Sequence, residues 1–572
     1  MKREPPFGFL RELVSRWDVL AFIVVIGLVV FLAETSRGLF APLSQLEVTP
    51  LSLDPRHLPE YAARTTFRMF AGLALSLLFT LTYATWAAKS ERAGRILVPI
   101  LDILQSVPIF GFLSVTYVFF MSLVPGRVLG VEFASIFVIF TSQAWNMAFS
   151  FYQSLRTVPV ELSEAAESFR LSPWMRFWQL EVPFGLPALI WNMMMSMSGG
   201  WFFVVASESI SVGHTTVALP GIGSYIALAI EKKDLGAIGW AIGAMFLVIL
   251  LSDQLLFRPL VAWVDRFRVE QEPGARVPGS WVLIMLRRSR LVRAATVAFH
   301  SVVLWTSRAV PRGPRPAAEA GRARRTGLDL FWMGVLSIAV LLGLWRIVVG
   351  LIADTPAAEA LSVAGLALLT MLRVFVLIGL ASLIWVPIGV WVGMRPRVAQ
   401  IVQPVAQFMA AFPTNLLFPI VVYGIVTWRL NPDVFLSPLM ILGTQWYILF
   451  NVIAGASAIP TEMRYVAANF RLSGWLWWRK VALPAILPFY VTGAITASGG
   501  SWNAAVVAEL ASWGDTQVQA RGLGAYIAEA TAAGNFHRIV LGIGIMSLFV
   551  VVINRLFWRP MYYYAERKFR IT

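Results

Sequence analysis

No group of residues in this chain is spaced for covalent chemistry. The four histidines, His57, His214, His300 and His537, are scattered without metal-ligand spacing, and there is no cysteine to serve as nucleophile, thiolate ligand or disulfide partner. The chain instead carries charge inside apolar stretches. Glu208 and Glu509 occupy corresponding apolar segments, and Arg68 and Arg373 open another corresponding pair. Ionisable groups in such segments are expensive and mark function or a partner. Arg–Glu ion pairs latching an outer gate are one expectation, and arginines that reach headgroups unpaired are the other.

A second kind of chemistry needs only a surface. Leu162, Ala165, Ala166 and Phe169 fall at i, i+3, i+4 and i+7, as do Met463, Val466, Ala467 and Phe470. Each set makes one apolar face on a short helix. Glu161, Glu164 and Arg170 flank the first face, and Glu462 and Arg471 the second. Pro159 and Pro460 suit the helix start, while Pro173 and Gly474 interrupt it before the next segment. An apolar stripe on a loop needs a partner groove, unless the helix packs under its own bundle. Further on, Gly199-Gly200-Trp201 and Gly499-Gly500-Ser501-Trp502-Asn503 place small backbone beside an indole. They lie roughly 24 Å past Pro183 and Pro484 at ~1.5 Å per residue. A hinge with a plug and close helix packing are both open there.

The elements that position these residues occur twice. Pro159-Val160-Glu161, Phe169-Arg170-Leu171-Ser172, Trp201, Glu208, Gly221 and Gly223 reappear 301 positions later as Pro460-Thr461-Glu462, Phe470-Arg471-Leu472-Ser473, Trp502, Glu509, Gly522 and Gly524. A repeat without gaps over that stretch is a duplicated domain. With 58% hydrophobic and 14% charged residues and mean hydropathy +0.71, the chain is an integral membrane protein. Spans are expected near 17–34, 64–88, 96–122, 130–155, 184–210 and 236–257, and near 328–352, 362–394, 399–427, 434–456, 485–510 and 536–558. The first shows no cleavage pattern of a signal peptide. The two sets form domains 1–260 and 326–572, joined by a basic linker at 261–325.

The net charge of +16 follows topology. Lys2, Arg3, Arg11 and Arg16, the turns with Lys89, Arg92 and Arg95 and with Arg395 and Arg397, the Arg-rich linker and the Arg567-Lys568-Phe569-Arg570 tail fall on one side of twelve spans. By the positive-inside rule that side is cytoplasm, with both termini there, so the charge does not imply nucleic acid. In the linker, Leu283, Ile284 and Leu286 interleave with Arg287, Arg288 and Arg290, the pattern of a basic helix on an anionic leaflet.

Glu164-Ala165-Ala166, followed by Leu171-Ser172-Pro173-Trp174 and by Val182-Pro183 with Pro187, resembles the EAA loop of permease subunits of bacterial ABC importers. The second copy reads Tyr465-Val466-Ala467, Leu472-Ser473-Gly474-Trp475 and Leu483-Pro484 with Pro488. Two positions depart from the family: its glycine four residues after the second Ala is Arg170 or Arg471 here, and Tyr465 replaces its Glu. Ser207-Glu208 with Gly221-Ile222-Gly223, and Ala508-Glu509 with Gly522-Leu523-Gly524, resemble the nitrate/sulfonate/bicarbonate (taurine-like) group in a fused form. The resemblance implies an all-α fold of two tandem six-helix type I permease domains in the bacterial inner membrane. It implies a translocation pathway for a small solute such as nitrate, sulfonate or bicarbonate, and coupling helices at 161–170 and 462–471. It also implies two copies of a cytoplasmic ABC ATPase and an external solute-binding protein. ATP and Mg belong to those ATPases, with no cofactor on this chain, which has no Gly-x-x-x-x-Gly-Lys-Ser/Thr loop and is not an enzyme. The alternative is a secondary transporter of parallel 6+6 helices.

Overall fold

A computed structural model describes residues 51–106, 108–109, 113–212, 215–267, 280–289 and 356–569, with isolated positions at 27, 42 and 301. The expected spans at 17–34 and 328–352, and most of the linker, lie outside the described residues.

In the first half, α1 (Pro55–Lys89) buries Thr65, Arg68, Met69, Gly72, Leu73 and Ser76 at helical spacing and turns Leu75, Leu78 and Trp86 outward. Helices α2 (Glu91–Ser106) and α3 (Leu113–Leu123) precede α4 (Val128–Arg156). Gly72 lets α1 approach α4 so closely that a Cβ there would meet Ile139 Cγ2 at 2.6 Å, the small-residue packing that holds membrane helices together. The short α5 (Val160–Ser168) leads to α6 (Pro173–Glu208), then the hairpin β1 (Ser209–Val212) and β2 (Thr215–Ala218), α7 (Ile222–Glu231) and α8 (Leu235–Val264). Helix α9 (Trp281–Arg288) follows, with Val282 and Met285 buried and Trp281 and Ile284 exposed.

The second half repeats the order with α10 (Ala357–Gly393), α11 (Pro396–Ala411), α12 (Phe418–Trp428), α13 (Pro432–Met440), α14 (Gln445–Ser457), α15 (Thr461–Asn469) and α16 (Gly474–Ala508). The hairpin β3 (Leu510–Trp513) and β4 (Thr516–Gln519), α17 (Leu523–Ala532) and α18 (Phe536–Ala565) complete it. Both hairpins are antiparallel, joining Ser209 to Ala218 and Leu510 to Gln519. They are the only strands among the described residues of an otherwise helical protein.

Two expected spans are not straight. The stretch 399–427 bends by 67° between α11 and α12, and 434–456 bends by 45° between α13 and α14. Pro413 lies at the first break, where the ring excludes the preceding turn and the backbone lacks an N–H; the second falls at 441–444, beside Gly443. The stretch 96–122 is likewise divided into α2 and α3, with Pro108 between them.

Elsewhere proline is absorbed without a break. Wide π-helical turns at Phe177–Glu181, Asp253–Phe257, Trp478–Ala482 and Asn554–Trp558 each end two residues before Pro183, Pro259, Pro484 and Pro560. Widening the turn accommodates the N–H that proline cannot give, so the helix runs on. Helices α6 and α16 therefore begin at Pro173 and Gly474, about a dozen residues before the apolar run alone suggests.

Candidate functional site

The loop segments with the apolar stripes are short helices, and the two are alike. Helices α5 and α15 each bury a single residue, Ala166 and Ala467, against the bundle. Leu162, Ala165 and Phe169 are exposed, as are Met463, Val466 and Phe470, with Phe169 80% and Phe470 75% exposed. The apolar stripe is thus not covered by its own bundle, and the flanking Glu161, Glu164, Arg170, Glu462 and Arg471 are exposed around it.

Each helix ends in a Schellman turn. Arg170 N–H donates to the Glu167 carbonyl (2.9 Å) and Leu171 N–H to that of Ala166 (3.1 Å), matched by Arg471 to Ala468 (3.0 Å) and Leu472 to Ala467 (2.9 Å). Arg170 (φ 51°) and Arg471 (φ 49°) are left-handed. That explains a glycine at this position in the resembled family: only glycine takes this conformation without a Cβ penalty. The first loop alone is anchored by a charge cluster, in which Arg176 reaches Ser163 (3.2 Å) and Glu181 (3.3 Å) and Lys89 reaches Glu181 (2.8 Å). The position equivalent to Arg176 is Trp477.

At the opposite end of each half, the paired acids and arginines meet. Arg68 is buried and binds Glu132 with two prongs, Nε to Oε2 and Nη2 to Oε1, both 2.7 Å. Its Nη1 donates to Glu208 Oε1 (2.8 Å) and to the Pro220 carbonyl (3.0 Å). In the second half Arg373 binds Glu509 (3.2 Å) and Asp433 (2.8 Å), and the Arg521 N–H adds to Asp433 (2.7 Å). Each network ties the second, fourth and fifth spans of one half to each other; neither crosses between halves.

Glu208 and Glu509 also explain the Gly-x-Gly motifs. The Gly223 N–H donates to Glu208 Oε2 and the Gly524 N–H to Glu509 Oε2, both at 2.7 Å, while Thr65 and Thr370 hydroxyls accept from Ile222 (3.0 Å) and Leu523 (2.9 Å). The carboxylate of one helix thereby caps the N-terminus of the next. A Cβ at Gly221 or Gly522 would collide with that carboxylate, and one at Gly223 or Gly524 with the carbonyl of Val205 or Ala505. Nearby, Tyr526 donates to Glu359 (3.1 Å), and its phenol is pushed up to about 12, first by burial and then by that carboxylate.

Gly199-Gly200-Trp201 and Gly499-Gly500-Trp502 lie inside unbroken α6 and α16, with both indoles buried. Gly200 faces Met69 and Gln143, and Gly500 faces Thr444, closer than a side chain allows; the geometry is that of close packing. Asn503 reaches out of its own half to accept the Ile109 N–H at 2.6 Å.

Glu132, Asp433, Thr65 and Thr370 were not singled out from the sequence. Carrying the 301-residue register back to the fourth span aligns Glu132 with Asp433, and a 305-residue offset aligns Thr65 and Arg68 with Thr370 and Arg373. Glu132 and Asp433 differ in type and sit in unlike strings, Val131-Glu132-Phe133 and Pro432-Asp433-Val434, so no repeated string marks them.

Duplicated helical bundles, each with a solvent-facing loop helix at one end and a buried Arg–acid network at the other, define a polytopic membrane permease. The chain belongs to the family of binding-protein-dependent transport system inner membrane components, whose model matches residues 67–266 and 385–570. It is 28% identical over 183 residues to the glycine betaine/carnitine transport permease protein GbuB of Listeria monocytogenes, covering 32% of this chain and 59% of that protein. It is 27% identical over 177 residues to the nitrate import permease protein NrtB of Leptolyngbya laminosa, covering 31% and 60%. It is also 27% identical over 176 residues to the bicarbonate transport system permease protein CmpB of Synechococcus elongatus, again covering 31% and 60%. The chain thus spans about three fifths of the length of these relatives, and about a third of it is used in each match. Family membership displaces the secondary-transporter alternative.

Proposed function

We propose that the two halves together form the membrane pathway of an ATP-driven importer, coupled through α5 and α15 to two cytoplasmic ATPase subunits and supplied by an external solute-binding protein. The observation that carries this reading is the exposure of Phe169 and Phe470 at equivalent ends of two helices that each bury one alanine. Solvent-exposed aromatics held by a rigid turn serve as anchors for a partner groove. ATP and Mg reside in those partners, and both termini of the chain lie on the same, cytoplasmic side as the anchors.

The solute is small and carries a planar oxyanion group. The relatives' names support this: nitrate, bicarbonate and the carboxylate of betaine or carnitine share that group. An anion such as nitrate or bicarbonate is the preferred solute. The mass of the detergent-purified complex after co-expression with candidate ABC ATPases tests the coupling. Two ATPases per chain, lost in a Phe169→Ala/Phe470→Ala variant, are expected; a chain that purifies alone with every candidate overturns it. Uptake of labelled nitrate, bicarbonate and betaine separates the solutes.

A further inference from the structure

The third span of each half is broken beside a proline, at Pro108 and at Pro413. A break in an apolar span frees backbone groups that must find partners within the protein. Here the other half takes part in two ways: it supplies a side-chain acceptor to one freed N–H, and it offers a helix carbonyl to a side chain of the second break. Asn503 Oδ1, on α16 of the second half, accepts the Ile109 N–H of the first-half break at 2.6 Å. Asn415, in the second-half break, donates its Nδ2 to the Phe202 carbonyl on α6 of the first half at 3.2 Å.

Phe202 and Asn503 stand 301 residues apart, at the same position of the repeat. The two crossings are therefore one arrangement used twice: the fifth span of each half meets the broken third span of the other. The amide is supplied by the second half both times, and the counterpart of Asn415 is Phe110. Phe202 adds an edge-on contact to Phe418, with ring centroids 6.4 Å apart.

We propose that Asn415 and Asn503 form an amide clasp that shuts the solute route between the halves, on the side away from the coupling helices. Depth supports this placement. Helix α2 climbs sixteen residues before its break, about 24 Å, and Asn503 lies five residues from the far end of α16. Strength supports it too. Within each half the fourth and fifth spans are fastened by charge-assisted bonds to a buried or nearly buried arginine, whereas these crossings are neutral amide bonds. Beside them the halves are joined by the Gly514 N–H to the Ile230 carbonyl (3.0 Å) and by the exposed Lys233–Asp515 pair (3.6 Å), so halves that move as bodies part across weak contacts. The lining offered by Asn415, Asn503 and Phe202 has no fixed charge, so it passes small anions and zwitterions alike and leaves selection to the binding protein.

The inference rests on the two halves being the walls of the route, and its test needs no ATPase, so its outcome is separate from that of the coupling reading. The chain is reconstituted alone into phosphatidylethanolamine/phosphatidylglycerol vesicles, and passive leak of nitrate and of glycine betaine is measured. Wild-type vesicles are expected to be tight and an Asn415→Ala/Asn503→Ala variant to leak at least tenfold faster. The isosteric variants guard against misfolding. Asn503→Asp keeps the acceptor for the Ile109 N–H and stays tight, whereas Asn415→Asp sets a carboxylate against the Phe202 carbonyl and leaks. A monodisperse double variant that passes neither probe, or equal leak in the two Asp variants, overturns the clasp.

Discussion

Arg68 and Glu132, 64 residues apart in sequence, face each other through two parallel hydrogen bonds of 2.7 Å with neither side chain reaching the surface. Fork-to-fork geometry of this kind fixes both distance and rotation between two helices. It locks α1 to α4 in the first half, whereas the second half has a single Arg373–Asp433 bond of 2.8 Å.

Removing Arg68 leaves two buried carboxylates, Glu132 and Glu208, without their counter-charge, at a cost of about 3–5 kcal/mol. Arg68→Ala is expected to lower the thermal unfolding midpoint of the detergent-solubilised chain strongly, and Glu132→Gln less, because Arg68 keeps Glu208. Arg373→Ala is expected to cost less, because Asp433 is 30% exposed and water can replace the lost partner. Equal shifts at Arg68 and Arg373 would contradict this ranking.

The glycines divide by what surrounds them. Gly223→Ala drives a methyl into the Val205 carbonyl and is expected to destabilise by about 1–3 kcal/mol. Gly239→Ala meets open space within α8 and is expected to be neutral or to gain up to about 1 kcal/mol. Thermal shift of the two variants side by side checks the contrast.

Arg170 and Arg471 occupy left-handed backbone, so Arg170→Gly and Arg471→Gly are expected to stabilise the loop by about 1 kcal/mol each. Slower limited proteolysis at 157–172 and 458–473 is the readout. Faster cleavage would show that the arginine side chains hold the turn.

Exposed Phe169 and Phe470 can be cut to alanine with stability within about 0.5 kcal/mol of wild type. ATPase binding is expected to weaken by about 2 kcal/mol or more per site, as for buried aromatic anchors. Affinity measured by surface plasmon resonance on the captured permease reports it. An acidic residue at Ala166 or Ala467 is a poorer probe, because those alanines are the buried seats of the helices.

The Tyr526 phenol, raised to about 12, is protonated in the folded protein while an unfolded tyrosine ionises near ~10. Its contribution is full below pH ~10 and is lost as pH rises toward 12, because the unfolded chain releases its proton first. Tyr526→Phe is therefore expected to flatten the loss of stability across that alkaline window, read as unfolding midpoints against pH.

The duplication, the straight spans and the coupling helices were legible because apolar length and 3.6-residue spacing dictate them. The pairing of Arg68 with Glu208 could be anticipated because an ionised group at that depth needs an opposite charge. Glu132 could not, since its counterpart is Asp433 in an unlike string and nothing local distinguishes it from a residue at the edge of a span. The breaks at Pro108 and Pro413 were hidden because a proline in an apolar run can either break a helix or be absorbed. Pro183 and Pro484 took the second course, and only tertiary packing distinguishes the two. At Trp201 and Trp502 the sequence left a plug and close packing both open, because only the side chains facing Gly200 and Gly500 distinguish them.

The π-helical turns before Pro183 and Pro484 add one residue to the winding of their helices. An α-helix advances about 100° per residue, so each extra residue sets the azimuth of everything on its N-terminal side. Deleting one residue from Phe177–Glu181 would leave the bundle intact and swing α5 by roughly a quarter turn around the α6 axis. Phe169 would then point along a different compass bearing from Phe470, and a twofold partner could engage only one of them. The phase of two helices, rather than the composition of their loops, keeps the two docking points related by a single rotation.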